Sequence, residues 1–188
     1  MIRAIITDFD GTLVDTFEAN LKAYQEAYQL VGLEITAEKY RECFGYRFER
    51  LMTATGVLDK DTANAIKEAK KQSYPMFFHY LSPNKALIEL ISSLHAMGVK
   101  TAIASTARRE NLMNVVNYLN LAPIFDLIYA GVDVKQGKPS PEIYLKTMDA
   151  LDVQPDEVLI FEDSSVGIEA ARASGAHVLV VTQEDFNE

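Results

Sequence analysis

With 188 residues, 48% of them hydrophobic and 24% charged, the chain has room for one average domain plus a small insertion, and enough apolar content for a sizeable core. Eighteen Lys and Arg against 27 Asp and Glu give a net charge of −9, which disfavours nucleic-acid backbones and polybasic membrane attachment alike. No run reaches the roughly 18 apolar residues of a membrane span, and Asp8 and Asp10 interrupt the apolar start too early for a secretory signal.

In chain order, residues 2–7 (IRAIIT) read as a buried strand ending near Asp8. From Thr16 the period turns helical, with Phe17, Leu21, Tyr24, Tyr28 and Val31 on one stripe closed by Gly32. Further helices are expected from Thr36, over Arg47 to Thr55, and over Asp59 to about Phe78, with no strand between 15 and 80. This stretch reads as a small helical bundle. Ser82-Pro83 is expected to cap a helix whose stripe runs through Leu87, Leu90, Ile91, Leu94 and Met97 to Gly98. Strands at 99–105, 126–131, 157–163 and 177–181 then alternate with helices carrying Leu112, Val115, Val116 and Leu119, starting at Ser140-Pro141-Glu142, and spanning 165–174. Such βα alternation specifies an α/β fold: a Rossmann-like parallel sheet core with helices on both faces, interrupted by an inserted α-helical cap. The expected division is 1–14 with 81–188 as the core and 15–80 as the cap.

Ligands of open α/β sheets sit beyond the carboxyl ends of the strands. There the sequence places Asp8-Phe9-Asp10-Gly11-Thr12, Ser105-Thr106, Lys138 and Glu162-Asp163. Oxygen ligands without clustered Cys or His suit a hard cation, above all Mg²⁺. A lysine and a hydroxyl can hold phosphate oxygens, and an aspartate beside the metal can attack phosphorus. Asp10, two residues beyond Asp8, is placed to act as the acid and base that such a reaction needs. Read singly, these residues have plainer roles: Asp and Gly close turns, Ser105 or Thr106 can cap the next helix, and Asp163, Ser164 and Ser165 can cap the one after. Their convergence on one rim outweighs those readings.

At these residues the chain resembles the haloacid dehalogenase-like phosphohydrolase superfamily, subfamily I, in its phosphoglycolate-phosphatase and β-phosphoglucomutase-like branch. DFDGTLVD (8–15), IAST (103–106), GKPSPEIY (137–144) and FEDSSVGIEAA (161–171) look like its four ordered motifs. The resemblance implies a phosphatase with Asp8 as nucleophile and Asp10 as general acid/base. It implies Mg²⁺ held by Asp8, the Asp10 carbonyl and Asp163, with Glu162 contributing directly or through water, and the phosphoryl group held by Ser105, Thr106 and Lys138. The substrate class is a small phosphorylated metabolite, to the exclusion of nucleic acid and membrane. Asn20 stands where the mutases carry a cap histidine, and Phe48 where they carry a cap arginine, with Arg47 and Arg50 nearby. Both departures favour a hydrolase over the alternative, a sugar-phosphate mutase. Asn20, Arg47 and Arg50 are the cap residues expected to meet substrate. A non-catalytic, receiver-like phospho-sensing module is a further alternative, disfavoured by the DxDGT run and the insertion. The lone Cys43 fits a cytoplasmic protein, and no coiled-coil or edge signal demands more than a monomer.

Overall fold

The structure is a computed structural model and describes residues 1–186. Two compact units are present: Met1–Asp15 together with the chain from Ser82 onward, and Thr16–Leu81.

The first unit is built on strands β1 (Ala4–Thr7), β4 (Lys100–Ala104), β5 (Leu127–Tyr129), β6 (Val158–Glu162) and β7 (His177–Val180). They form a five-stranded sheet in the order β5-β4-β1-β6-β7, with every pairing parallel. Alternation along the strands sends side chains to both faces. Ala4 and Ile6 of β1, with Ala102 and Ala104 of β4, pack on a core with Ile143, Tyr144 and Met148 of helix α7 (Glu142–Leu151) and Ala170 and Ala171 of helix α8 (Ser165–Ala173). Helices α5 (Lys85–Ala96) and α6 (Arg109–Tyr118) bury Leu87 and Ile91, and Leu112, Val115 and Val116.

Register sets the functional rim. Thr7 pairs with Ile103 on one side and Phe161 on the other, so Asp8, Ala104 and Glu162 leave the sheet at one level. The pairing of Ala104 with Tyr129 starts the loop to Lys138 at that same edge.

Two short strands, β2 (Val14–Asp15) and β3 (Ser82–Pro83), pair antiparallel where the chain leaves and re-enters this unit. This corrects the expectation that Ser82-Pro83 caps a helix. Pro83 is drawn into the ribbon opposite Val14, and Asn84 becomes the cap, its Oδ1 accepting from Leu87 N at 3.0 Å. The stripe of α5 is also narrower than its periodicity suggested, because Leu90 and Met97 lie exposed.

The second unit holds α1 (Phe17–Leu30), α2 (Ala37–Cys43), α3 (Phe48–Ala54) and α4 (Lys60–Ser73). Leu21, Ala27, Tyr28, Tyr40, Cys43, Leu51, Met52 and Ile66 make its core. Thr36 and Asp59 cap α2 and α4 through side-chain oxygens. The last helix ends sooner than Phe78: a 3₁₀ turn, Tyr74–Tyr80, takes over at Tyr74-Pro75. Proline cannot donate the hydrogen bond that would continue an α-helix.

Candidate active site

The turn after β1 closes tightly, with Gly11 N donating to Val14 O at 2.8 Å. Gly11 adopts φ +91°, and a β-carbon there would run into the Asp163 carboxylate, so the position requires glycine on both counts. Next to it, the buried Thr12 hydroxyl donates to Asp163 Oδ1 at 2.7 Å. Neither expectation for the helix after β4 survives: Arg108, not Ser105 or Thr106, is its cap residue. Ser105 is buried, its backbone N–H bonded to Tyr129 O at 3.1 Å and its Oγ accepting from Ala107 N at 3.0 Å. That arrangement leaves the hydroxyl hydrogen available to a ligand. Thr106 follows, half-buried.

The loop bearing Lys138 is shaped by Glu142, whose two oxygens accept from Lys135 N and Gln136 N, each at 2.8 Å. Lys138 Nζ donates both to Asp8 Oδ1 and to Glu162 Oε1, and all three side chains are almost wholly buried. Glu162 Oε1 also accepts from Tyr144 Oη at 2.8 Å. Its Oε2 accepts from Asp163 N at 3.0 Å and from Ser164 N and Oγ at 3.1 and 3.2 Å. Ser164 in turn caps α8 by accepting from Gly167 N at 3.1 Å, so the cap among Asp163, Ser164 and Ser165 is the middle one.

Charge is unevenly shared in this cluster. Burial draws the Lys138 ammonium toward neutrality, but Asp8, Tyr144 and Glu162 more than reverse this and hold it well above the ordinary lysine value. Burial raises Glu162 too, yet the adjoining ammonium wins and keeps it low. Asp8 is pushed up by burial against the pull of Lys138, with the charges of Glu162 and Asp163 adding to the rise. Burial carries Asp163 to about 6 despite the hydrogen bond from Thr12.

Oxygens of Asp8, Glu162 and Asp163 lie within 4.8 Å of one another, and among the described residues this cluster does not take in the Asp10 carboxylate. Three carboxyl groups face a single ammonium, and their all-oxygen donor set fits a hard divalent cation. Of the residues expected from sequence, Asp8, Lys138, Glu162 and Asp163 are therefore in mutual contact or close range. Asp10, half-buried, follows two residues beyond Asp8, its backbone bridged to Val14.

A haloacid dehalogenase-like hydrolase model matches residues 5–181. The chain belongs to this family. It is 31% identical over 191 residues to a phosphorylated carbohydrates phosphatase of Thermotoga maritima, covering 100% of this chain and 88% of that protein. It is 33% identical over 201 residues to protein CbbY of Rhodobacter capsulatus, covering 97% and 86%. The crystal structure of CbbY from Rhodobacter sphaeroides in complex with phosphate superposes with a TM-score of 0.84 at 30% identity, covering 96% of this chain and 86% of that one.

Within this haloacid dehalogenase-like hydrolase, the residues expected in the insertion belong to the second unit. Asn20 Nδ2 donates back to Thr16 O at 3.1 Å in α1. Arg47 is the half-buried residue preceding α3. The exposed Arg50 lays its guanidinium over the Tyr46 ring at 3.8 Å. Two residues of the first unit lie inside the motifs DFDGTLVD and GKPSPEIY but receive no role in the sequence reading: Thr12, which donates to Asp163, and Tyr144, which donates to Glu162.

Proposed function

We propose that this hydrolase is a Mg²⁺-dependent phosphomonoesterase acting on a small phosphorylated carbohydrate through an aspartyl-phosphate on Asp8. The observation that carries the reading is the buried Asp8–Lys138–Glu162 contact beside Asp163, a nucleophile and its electrostatic partner assembled in a pocket short of positive charge. The phosphorylated carbohydrates phosphatase at 31% identity supports the substrate class. Mg²⁺ bound by Asp8, the Asp10 carbonyl and Asp163 would supply the charge that balances the carboxylates and the phosphoryl oxygens.

The chain's own residues then divide the work. Asp8 attacks phosphorus as the ester P–O bond breaks, and Asp10 gives its proton to the departing oxygen. Asp10, now a base, takes a proton from water as that water attacks the acyl-phosphate. The Asp8–phosphorus bond breaks, releasing phosphate and restoring both carboxyl groups. Ser105, Thr106 and Lys138 hold phosphoryl oxygens, and Glu162 holds Lys138. The helical unit, through Asn20, Arg47 and Arg50, selects the carbohydrate. The lone Cys43, free and buried, fits a reducing, cytoplasmic setting.

The test is phosphate release from a panel of sugar phosphates with Mg²⁺ or EDTA, for the wild type, Asp8→Asn and Asp10→Asn. Release that requires Mg²⁺, is lost in both variants and needs no bisphosphate activator supports the reading. Isomerised sugar phosphate in place of free phosphate would assign a mutase. Full activity in EDTA, or in Asp8→Asn, would overturn the mechanism.

A further inference from the structure

The geometry points to Tyr144 as a positioning residue that fixes the Lys138 ammonium over Asp8 by sharing Glu162 Oε1 with it. The inference rests on the proposed phosphatase reading and extends it to a side chain that never meets substrate.

Tyr144 is fully buried on α7, its ring in the core of the first unit and its hydroxyl directed at Glu162 Oε1 across 2.8 Å. The same oxygen accepts from Lys138, and the Lys138 Nζ stands 5.0 Å from the centroid of the Tyr144 ring. A carboxylate oxygen has two in-plane acceptor directions. With Tyr144 on one of them, Lys138 is confined to the other. The opposite oxygen is tied to Asp163 N, Ser164 N and Ser164 Oγ, so Glu162 cannot rotate to compensate. The ring adds a wall on one side of the ammonium, attractive to a cation and closed to water. Two contacts on one tyrosine thus set both the direction and the depth of Lys138.

Removing the hydroxyl leaves a buried acceptor direction of Glu162 Oε1 vacant, and the ammonium is the donor already bonded to that same oxygen. Lys138 then settles more squarely on Glu162 and recedes from Asp8, where attack on phosphorus needs it. Because the effect falls on the arrangement during phosphoryl transfer, kcat should fall more than KM rises.

The experiment compares Tyr144→Phe with Ile143→Val, a fully buried neighbour on the same helix that lies outside the site. Hydrolysis of p-nitrophenyl phosphate, Tm, and a crystal structure of each variant are measured. We expect Tyr144→Phe to lose about tenfold in kcat, the scale of a hydrogen bond to a charged group, with KM within about twofold. Ile143→Val should lose comparable Tm and retain wild-type kcat. In the Tyr144→Phe crystal structure, Lys138 Nζ should have left Asp8 Oδ1. Unchanged kcat, equal kcat losses in the two variants, or Lys138 still bridging Asp8 and Glu162 would each overturn the inference. Should the wild type release no phosphate, the phosphatase reading fails, and the position of Lys138 in the variant crystal still decides whether Tyr144 sets it.

Discussion

Thr12 and Asp163, 151 residues apart in sequence, are joined by a 2.7 Å hydrogen bond that ties the turn after β1 to the end of β6. Asp163 therefore does not choose its rotamer alone: the hydroxyl holds Oδ1, while Oδ2 lies against Gly11. Replacing Thr12 by valine keeps the shape and removes the donor. Activity should then need about tenfold more Mg²⁺ for half-saturation, in keeping with a lost hydrogen bond to a charged group, while kcat at saturating Mg²⁺ recovers. A Mg²⁺ titration of initial rates checks this. An unchanged Mg²⁺ requirement would leave Thr12 with a structural role alone.

The strand-end residues were legible because each motif sits where an apolar run stops, and a parallel sheet brings such stops to one edge. What remained hidden depends on pairings that no local pattern carries. Ser82-Pro83 looks like a helix start, and only the Val14–Asp15 partner strand turns it into a ribbon and passes the cap to Asn84. Tyr144 satisfies the helical stripe through its ring, so nothing marks its hydroxyl until Glu162 is seen beside it. Leu90 and Met97 fit the same periodicity as Leu87 and Ile91 and are nevertheless exposed, because the apolar stripe of α5 is wider than the surface that covers it.

The pH dependence follows from Asp163. Burial raises its pKa from 3.8 to about 6, so the folded, metal-free protein binds that proton more tightly than the unfolded chain does. Stability from this group is present below pH 4 and is lost as pH rises through 6. Asp163→Asn mimics the neutral form and can still accept from Thr12. In EDTA at pH 7.5 the variant should therefore melt at a higher temperature than the wild type, with the difference closing near pH 4. If Mg²⁺ binds this carboxylate, its affinity for the wild type should rise by about tenfold between pH 5 and 7 and level off above that. A Tm difference that is absent at pH 7.5 would show that Asp163 is ionised without cost.

Arg50 offers a cation on an exposed face of the helical unit, preorganised by its stacking on Tyr46. If it recognises the carbohydrate phosphate's anionic or hydroxyl groups, Arg50→Ala should raise KM for the preferred sugar phosphate by about tenfold, as expected for a lost charged hydrogen bond. The KM for p-nitrophenyl phosphate, which has no sugar to recognise, should change little. Tyr46→Leu, which removes the stacking partner but keeps the charge, should give a smaller effect in the same direction. Equal losses on both substrates would place Arg50 in support of the fold.

Gly167 sets the last test, because its missing side chain is filled by the Glu162 carboxylate. A methyl group at this position would occupy the same volume as the carboxylate, while the helix backbone that carries it is held by the Ser164 cap. The carboxylate has to move, and moving it breaks its bonds to Lys138, Tyr144, Asp163 N and Ser164 N together. Gly167→Ala should therefore cost about 3 kcal/mol, combining overpacking with a disturbed buried charge, although alanine favours a helix over glycine by roughly 1 kcal/mol. Activity should fall further than stability predicts, since Lys138 loses one of its two anchors. Adding Glu162→Gly to Gly167→Ala removes the collision but restores none of the lost bonds, so the double variant should regain only the overpacking part of the lost Tm and none of the lost kcat. That split separates the two roles of Glu162, as an occupant of space above α8 and as the acceptor that holds Lys138. Recovery of both quantities in the double variant would show that the Glu162 carboxylate has no part in placing the lysine.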